Sequence, residues 1–503
     1  MNLSALFPSL ALPETHQYTA EVEDAVEVAG EGKPRRNAAC ATGPLAKCPS
    51  TATNLHENLI SGVKKAGDAP FLGKRAIVDG VAKEFVWQTY NQIYTRVRNL
   101  GAGLANLGLA PDQMVGIFAA NCPEWVITEH ACFMYGLVTV PLYDTLGVEA
   151  VEYIIGATEA TIIFVEFRNA DLLIDTASIA DSKIKSLKTI VLIDKINPEI
   201  LKKALDAGIN AILFVDLEKS GSDHPSTRPE VSGDTIATIC YTSGTTGVPK
   251  GVLLSHTNLL AFVASAELYG YLKQITKFGR DDSYLSYLPL AHVFERILQA
   301  TLTNVGARIG FFQGDTLKLM DDICELKPTI FASVPRLYNR IFDKIRAGLK
   351  TKGSTVEKLF ERGYATKKMF MEKGYKTNLF WDKLVFSKIK GALGGNVRLM
   401  LSGAAPIAAE VIEFMRICFG CDFVEGYGQT ETSGGASTGL IIDFTTGNVG
   451  VPTPSCMIKL RDVPAMNYTS KDLPCPRGEI LIKGTNCFKG YYKMPEKTGM
   501  SFD

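Results

Sequence analysis

The residue types best suited to chemistry in this chain stand together in one run, Thr238-Ile-Cys-Tyr-Thr-Ser-Gly-Thr-Thr-Gly-Val-Pro-Lys-Gly-Val-Leu-Leu-Ser-His256. From Thr235 to Tyr241 the composition is β-branched and apolar, which predicts a short buried strand. A loop follows, Thr242, Ser243, Gly244, Thr245, Thr246 and Gly247, made of hydroxyls and glycines. Such a loop offers backbone N–H groups and mobile hydroxyls to a polyphosphate, and Lys250, beyond the stiffening Pro249, adds a cation. Gly244 and Gly247 let the main chain come close to a ligand. The spacing is not that of the P-loop, which places Lys directly after its second Gly and a Ser or Thr after the Lys. Here Lys250 follows Gly247 by three positions and Gly251 comes next. A flexible surface turn is the plain alternative, but the length and order of the run weigh against it.

A second constellation is Val424-Glu-Gly-Tyr-Gly-Gln-Thr-Glu431. An aromatic between two glycines, Tyr427 between Gly426 and Gly428, can lie flat on a purine; the Thr430 hydroxyl can bond a phosphate oxygen, and the Glu431 carboxylate can hold Mg²⁺ beside it. Upstream, Val397 to Leu401 predicts a strand that ends in Ser402, Gly403 and Ala404, small residues where open α/β sheets receive ligands. A tight strand-to-helix turn accounts for those three equally well. His292 stands in an otherwise apolar segment, Ser283 to Arg296, where a packed core histidine is the commoner outcome. A carboxylate substrate is already ionised at neutral pH, so His292 is not needed as a base.

These residues need elements to hold them. Thr89 can cap a helix whose apolar positions Ile93, Val97, Leu100, Leu104 and Leu107 step by four and three. Short β-rich runs at 114–119, 136–140, 161–165, 189–193 and 211–215 alternate with helical stretches, the pattern of parallel sheets wrapped by helices. Residues 1–53 read as a weakly ordered lead-in, 54–442 as the α/β domain with a long basic helical region at 338–390, and 443–503 as a small β subdomain. The Lys-rich face of 338–390 is most simply a solvated helix face; a membrane-surface role is the sharper alternative. Cys418 and Cys421 form the one C-x-x-C, and with no second pair they read as two buried thiols at a helix end.

Composition sets the outer limits. Lys+Arg and Asp+Glu number 53 each, which argues against a nucleic-acid partner. Six histidines, none at metal-ligand spacing, argue against a zinc centre. Eleven scattered cysteines favour reduced thiols inside the cell. No apolar stretch reaches the ~20 residues that span a bilayer.

The two constellations together resemble the signatures of the adenylate-forming enzymes. The chain is similar over about 85–495 to the eukaryotic long-chain fatty-acid–CoA ligases, through Asn121 to Trp125, Pro141 to Leu146, Ser286 to Arg296, Gly310 to Asp315 and Leu393 to Arg398. The resemblance implies the large N-terminal α/β domain of that family: two helix-flanked, mostly parallel sheets plus a small β subdomain, without the C-terminal lid. It implies that the loop from Thr242 to Gly247, with Lys250, holds the β- and γ-phosphates of ATP. Ser402, Gly403, Ala404 and the Gly426–Gly428 turn would receive AMP, with Tyr427 on adenine and Thr430 at the α-phosphate. Glu431 and Thr246 would be magnesium ligands, and His292, Phe311 and Val334 would line the acyl pocket, although Phe and Val there also suit a plain core.

Implied substrates are a long-chain fatty acid, ATP and coenzyme A, with Mg²⁺ as cofactor. The implied location is the cytosolic face of the endoplasmic reticulum or peroxisome, with peripheral membrane association. In the family a ribose-binding Asp, a hinge and a lid lysine follow the segment Gly490 to Thr498. Ending at Asp503, this chain is expected to adenylate poorly and make little thioester. A ligase for medium-chain or aromatic acids and a non-catalytic nucleotide or acyl binder are the competing readings.

Overall fold

The computed structural model describes residues 18–179, 181–242 and 248–502. Two large sheets dominate it. The first has seven strands, in the spatial order Lys250–Ser255, Ile236–Thr242, Val138–Leu142, Met114–Phe118, Ile162–Val165, Thr189–Leu192 and Asn210–Leu213. All neighbours are parallel except Lys250–Ser255, which folds back antiparallel on Ile236–Thr242. Val138–Leu142 and Ile162–Val165 are buried at every position, as strands covered on both faces by helices must be.

The second sheet has nine strands. Its parallel centre runs Asp422–Tyr427, Leu399–Ser402, Ile330–Ser333, Ser283–Ser286, Arg308–Phe311 and Pro70–Val78. Antiparallel strands finish both edges: Val81–Thr89 on one, Ser437–Thr438 and then Val451–Pro452 on the other.

The helix Tyr90–Asn106 starts where the sequence predicts, with Thr89 and Gln92 exchanging hydrogen bonds in a capping box. Ile93, Val97, Leu100 and Leu104 are fully buried, whereas Leu107 falls on the C-cap and is exposed. This helix packs on Phe214–Asp223, so the β-rich run at 211–215 divides: its first part is a strand and Phe214 opens a helix. The two helices meet backbone to backbone. A Cβ on Gly221 would lie 1.8 Å from the carbonyl oxygen of Asn99.

One helix, Val293–Val305, is fastened to both sheets by consecutive residues. Glu295 accepts hydrogen bonds from Ser286 (2.6 Å) and Tyr284 in the nine-stranded sheet. Arg296 pairs with Glu129, donates to Thr238 (2.7 Å) and Thr139 (3.1 Å) in the seven-stranded sheet, and lies over the Trp125 ring. Asn121 joins from the other side by donating to Ser286 at 2.8 Å.

The lead-in expectation needs correcting for residues 18–53. Thr19–Glu21 and Arg35–Asn37 are strands of a third, four-stranded antiparallel sheet completed by Cys456–Arg461 and Glu479–Gly484. The basic cluster is not a free tail either: Arg35 bonds Glu21 and Thr19, and Arg36 is buried with its guanidinium on the Gly43 carbonyl. The sheet that holds these strands is completed by Cys456–Arg461, more than four hundred positions away, a partner that no local pattern reveals. For the same reason 443–503 is not a separate block: 451–452 extends the nine-stranded sheet, and the hairpin 456–484 pairs with the start of the chain.

The basic helical region comprises Pro335–Thr351, Ser354–Glu372 and a run from Leu379 to Gly391 that contains a π-turn at Asp382–Phe386. Its lysines are not uniformly solvated, since Lys367 is buried and paired with Asp382 at 2.6 Å. Cys418 and Cys421 are buried thiols at the end of Ala409–Phe419, and the described cysteines form no disulfide. Among the described residues no helix is long and apolar enough to cross a membrane.

Candidate active site

Thr242 and Ser402 end their strands and Val334 follows one, at the carboxyl ends where an open α/β sheet receives ligands. Thr242 ends its strand directly opposite Lys250, so this pair closes the base of the loop between them. Ser243, Gly244, Thr245, Thr246 and Gly247 lie outside the described residues. Lys250 is half-buried, and its ammonium sits 5.4 Å from the centre of the Tyr491 ring.

Tyr491 is the residue that sequence reasoning did not assign. Its hydroxyl donates to Oε1 of Glu431 at 2.7 Å. Burial, and then the neighbouring Glu431 carboxylate, push this phenol up to about 12, so it is a donor at any physiological pH. The segment that carries it is pinned from two sides. Lys489 N donates to Leu253 O, Leu253 N to Gly490 O and Tyr492 N to Gly251 O, at 2.8–3.0 Å. Phe488 N donates to the Glu431 carbonyl at 2.8 Å. Lys250 and Glu431, far apart in sequence, thus flank one aromatic ring. The signal available beforehand was a Tyr-Tyr pair after Gly490, which says nothing about its partner.

Glu431 belongs to the one-turn helix Thr430–Thr432. Gly428 lets the chain pass the backbone of Gly434: a Cβ there would meet the Gly434 carbonyl oxygen at 2.5 Å. Glycine is therefore required at 428 by packing, beside any part it has in ligand approach. Ser402 pairs with Glu425, which sets Ser402, Gly403 and Ala404 beside Gly426 and Tyr427. The Ser402 hydroxyl is buried without a hydrogen-bond partner, and Ala404 takes φ of 68°. An orphaned hydroxyl and a left-handed alanine at a strand's carboxyl end are unfavourable for folding alone and mark a place built for something to bind.

His292 is the N-cap of Val293–Val305, and its Nδ1 accepts from Phe294 N at 3.2 Å. Burial lowers its pKa, which favours the neutral ring, and with Nδ1 accepting, the proton resides on Nε2. Phe294 lies within 4.0 Å of the position a Cβ on Gly403 would take, so the His292 turn adjoins the Ser402 turn. Val334, half-buried, caps Pro335–Thr351 at the end of a neighbouring strand. Phe311 ends a strand three positions across the sheet from Ser402, roughly 14 Å away at ~4.8 Å per strand. It is 1 % exposed and packs as core.

A divalent cation fits what is present. Glu431 keeps its second oxygen free of hydrogen bonds from described residues, and no cluster of three ligating side chains exists among them. One carboxylate with phosphate oxygens supplying the rest is the usual setting for Mg²⁺ and unlike a dedicated protein cage.

Comparison with solved structures places this architecture in a class. The adenylation domain of a carboxylic acid reductase from Segniliparus rugosus, in complex with AMP and a co-purified carboxylic acid, superposes with a TM-score of 0.73 over 91 % of this chain and 73 % of that one, at 22 % identity. The N-terminal domain of FACL13 from Mycobacterium tuberculosis gives 0.65 over 90 % and 94 %, at 20 % identity. A sequence profile described as AMP-binding enzyme matches residues 64–492, and the chain belongs to that family, in its long-chain acyl-CoA synthetase branch. It is 44 % identical over 446 residues to long chain acyl-CoA synthetase 7, peroxisomal, of Arabidopsis thaliana, covering 88 % of this chain. It is 39 % identical over 489 residues to human long-chain-fatty-acid–CoA ligase 1, covering 95 % of this chain. The chain spans 62 % of the Arabidopsis relative's length and 67 % of the human one's.

Proposed function

We propose that this chain carries the adenylating half of an ATP-dependent long-chain fatty-acid–CoA ligase. Fatty carboxylate attacks the α-phosphorus of ATP to give acyl-adenylate and pyrophosphate, and the thiol of coenzyme A then displaces AMP. The observation that carries the reading is the joining of Lys250 and Glu431 through Tyr491, which sets a cation and a metal-binding carboxylate on one site.

In this reading Thr242 and Lys250, with the loop residues between them, hold the β- and γ-phosphates. Lys250 offsets the charge that develops as pyrophosphate leaves. The Thr430 hydroxyl donates to an α-phosphate oxygen, and Tyr427 lies on adenine above the small residues Ser402, Gly403 and Ala404. Bound at Glu431, Mg²⁺ supplies further neutralisation of the phosphate oxygens. Neutral His292 offers its Nε2 proton to a carboxylate oxygen and orients the other oxygen for attack. Val334 lines the way along which the acyl chain extends, whereas Phe311 belongs to the core. The residue range 54–442 is proposed to carry the residues that touch substrate, with Tyr491 beyond it joining two of them. Two Arabidopsis relatives are named peroxisomal, which supports an intracellular location for this chain as well.

The test is palmitate-dependent exchange of pyrophosphate into ATP, with Lys250→Ala and Glu431→Ala as controls. Exchange that both substitutions abolish supports the assignment. Absence of exchange together with measurable ATP binding assigns a binding role instead, and a preference for octanoate or benzoate over palmitate moves the substrate class.

A further inference from the structure

The run from Leu379 to Gly391 has two unlike sides. Its inner side is packed: Trp381 covers Gly363, where a Cβ would meet the ring at 2.8 Å, and Phe386 is fully buried. Asp382 holds Lys367 at 2.6 Å and Lys390 at 3.2 Å. The outer side carries Phe380 and Leu384, one turn apart and 65 % and 53 % exposed, preceded by Leu379 at 89 %. Lys383 and Lys388 flank that apolar pair, and Lys373 and Tyr375 stand in the turn before it, all of them exposed.

The charges around the patch are one-sided. Lys368 and Lys376, like Lys367 and Lys390, are ion-paired, to Glu413 and Asp422 respectively. Those pairs occupy Asp382, Glu413 and Asp422. Lys373, Lys383 and Lys388 form no ion pair with a described residue, and Glu372 is the only other acid besides Asp382 between 372 and 391. A helix face meant for water would carry polar residues at 379, 380 and 384. Large apolar side chains ringed by unpaired lysines instead match an interface where the rings enter an apolar layer and the ammonium groups reach anionic headgroups.

We propose that this face docks flat on the anionic surface of a lipid bilayer. Leu379, Phe380 and Leu384 enter the boundary of the acyl region, while Lys373, Lys383 and Lys388 meet the phosphate and carboxylate groups of the lipids. The absence of a spanning helix among the described residues agrees with lying on a membrane through this patch. The family resemblance implies membrane association without saying which face carries it, and none of the residues of this face belongs to the candidate active site.

The experiment is co-sedimentation of the full chain with phosphatidylcholine vesicles, with and without phosphatidylserine. Binding is expected only to the anionic vesicles and should weaken with salt. Lys383→Glu with Lys388→Glu should lower the partition coefficient by about 30-fold or more. Phe380→Ser with Leu384→Ser should lower it by about tenfold or more. Both pairs are exposed, so circular dichroism should stay unchanged. Three results would overturn the proposal: no binding to anionic vesicles, undiminished binding by both variants, or self-association in place of vesicle binding that the Phe380/Leu384 variant abolishes. The last would assign the face to a second copy of the chain.

Discussion

Glu431 has two carboxylate oxygens, and the fold commits one of them to Tyr491. That bond leaves the second oxygen free of hydrogen bonds from described residues; in the proposed site, where Glu431 would hold Mg²⁺, the phenol would act on metal binding without touching the metal. Tyr491→Phe keeps the ring under Lys250 and removes only the donor. A hydrogen bond to a charged group contributes about 1.5–3 kcal/mol, so the Mg²⁺ concentration for half-maximal ATP binding should rise by about ten- to a hundredfold. Calorimetric titration of ATP at several Mg²⁺ concentrations would measure it, and an unchanged Mg²⁺ requirement would refute the positioning role. Lys250, Tyr427, Thr430 and Glu431 could be singled out as candidates from the sequence because each sits in a short run of unusual composition. Tyr491 was not: its meaning comes from a partner sixty positions earlier, and no local pattern encodes such a contact.

Among elements, the helices were the easier part to foresee. Thr89 and Gln92 cap Tyr90–Asn106 through bonds made within one turn, and the four buried positions repeat at helical spacing. What the period leaves unsaid is which helix packs where. Gly103 and Gly221 allow two helices to touch through their backbones, a purely tertiary reason for glycine in mid-helix. Gly221→Ala would press a methyl group against the Asn99 carbonyl. Despite alanine's better helix propensity, a loss of about 1–3 kcal/mol is expected from overpacking. Urea denaturation would check it, and a gain in stability would mean that the helices separate freely. Of the third sheet, Thr19–Glu21 and Arg35–Asn37 were missed for the opposite reason: three-residue strands have too little sequence to carry a pattern.

At the scale of the molecule, the alternating β and α runs announced parallel sheets, but strand order and the helix shared by both sheets depend on contacts that no window of sequence spans. Arg296 is central to that joint. Arg296→Met leaves Glu129 buried and uncompensated and should cost about 3–5 kcal/mol, whereas Arg296→Met combined with Glu129→Leu should recover much of the loss. Denaturant titration of the three variants tests this, and equal losses in the single and double variants would refute the pairing argument.

Acid sensitivity belongs to the same scale. His56, His130 and His256 are buried close together, and burial lowers them to about 4, 3 and 3. Arg228 depresses His56 further, and Glu57 opposes it slightly. Groups held neutral in the folded state stabilise above pH ~6.5, and that stability is lost as pH falls towards their folded values. Glu295, raised to about 7 by burial, works the other way and penalises folding as pH rises from about 4.5 towards 7. Between pH 7.5 and 5 the three imidazoles lose about 6 kcal/mol together while Glu295 returns about 2, so a net destabilisation is expected. Denaturation midpoints at the two pH values would measure it, and greater stability at pH 5 would refute the neutral histidine cluster.

The third sheet also sets an order of events during synthesis. Arg35–Asn37 leaves the ribosome early, yet its partner Cys456–Arg461 is made about 420 residues later, a delay of roughly 20–80 s at ~5–20 residues per second. Through that interval the early strands have unpaired edges while both large sheets can already be assembling. The seam between residues 19–37 and the 456–484 hairpin can close only after residue 484 is made, and a translational pause before it would prolong the time in which a chaperone or a protease meets that open edge.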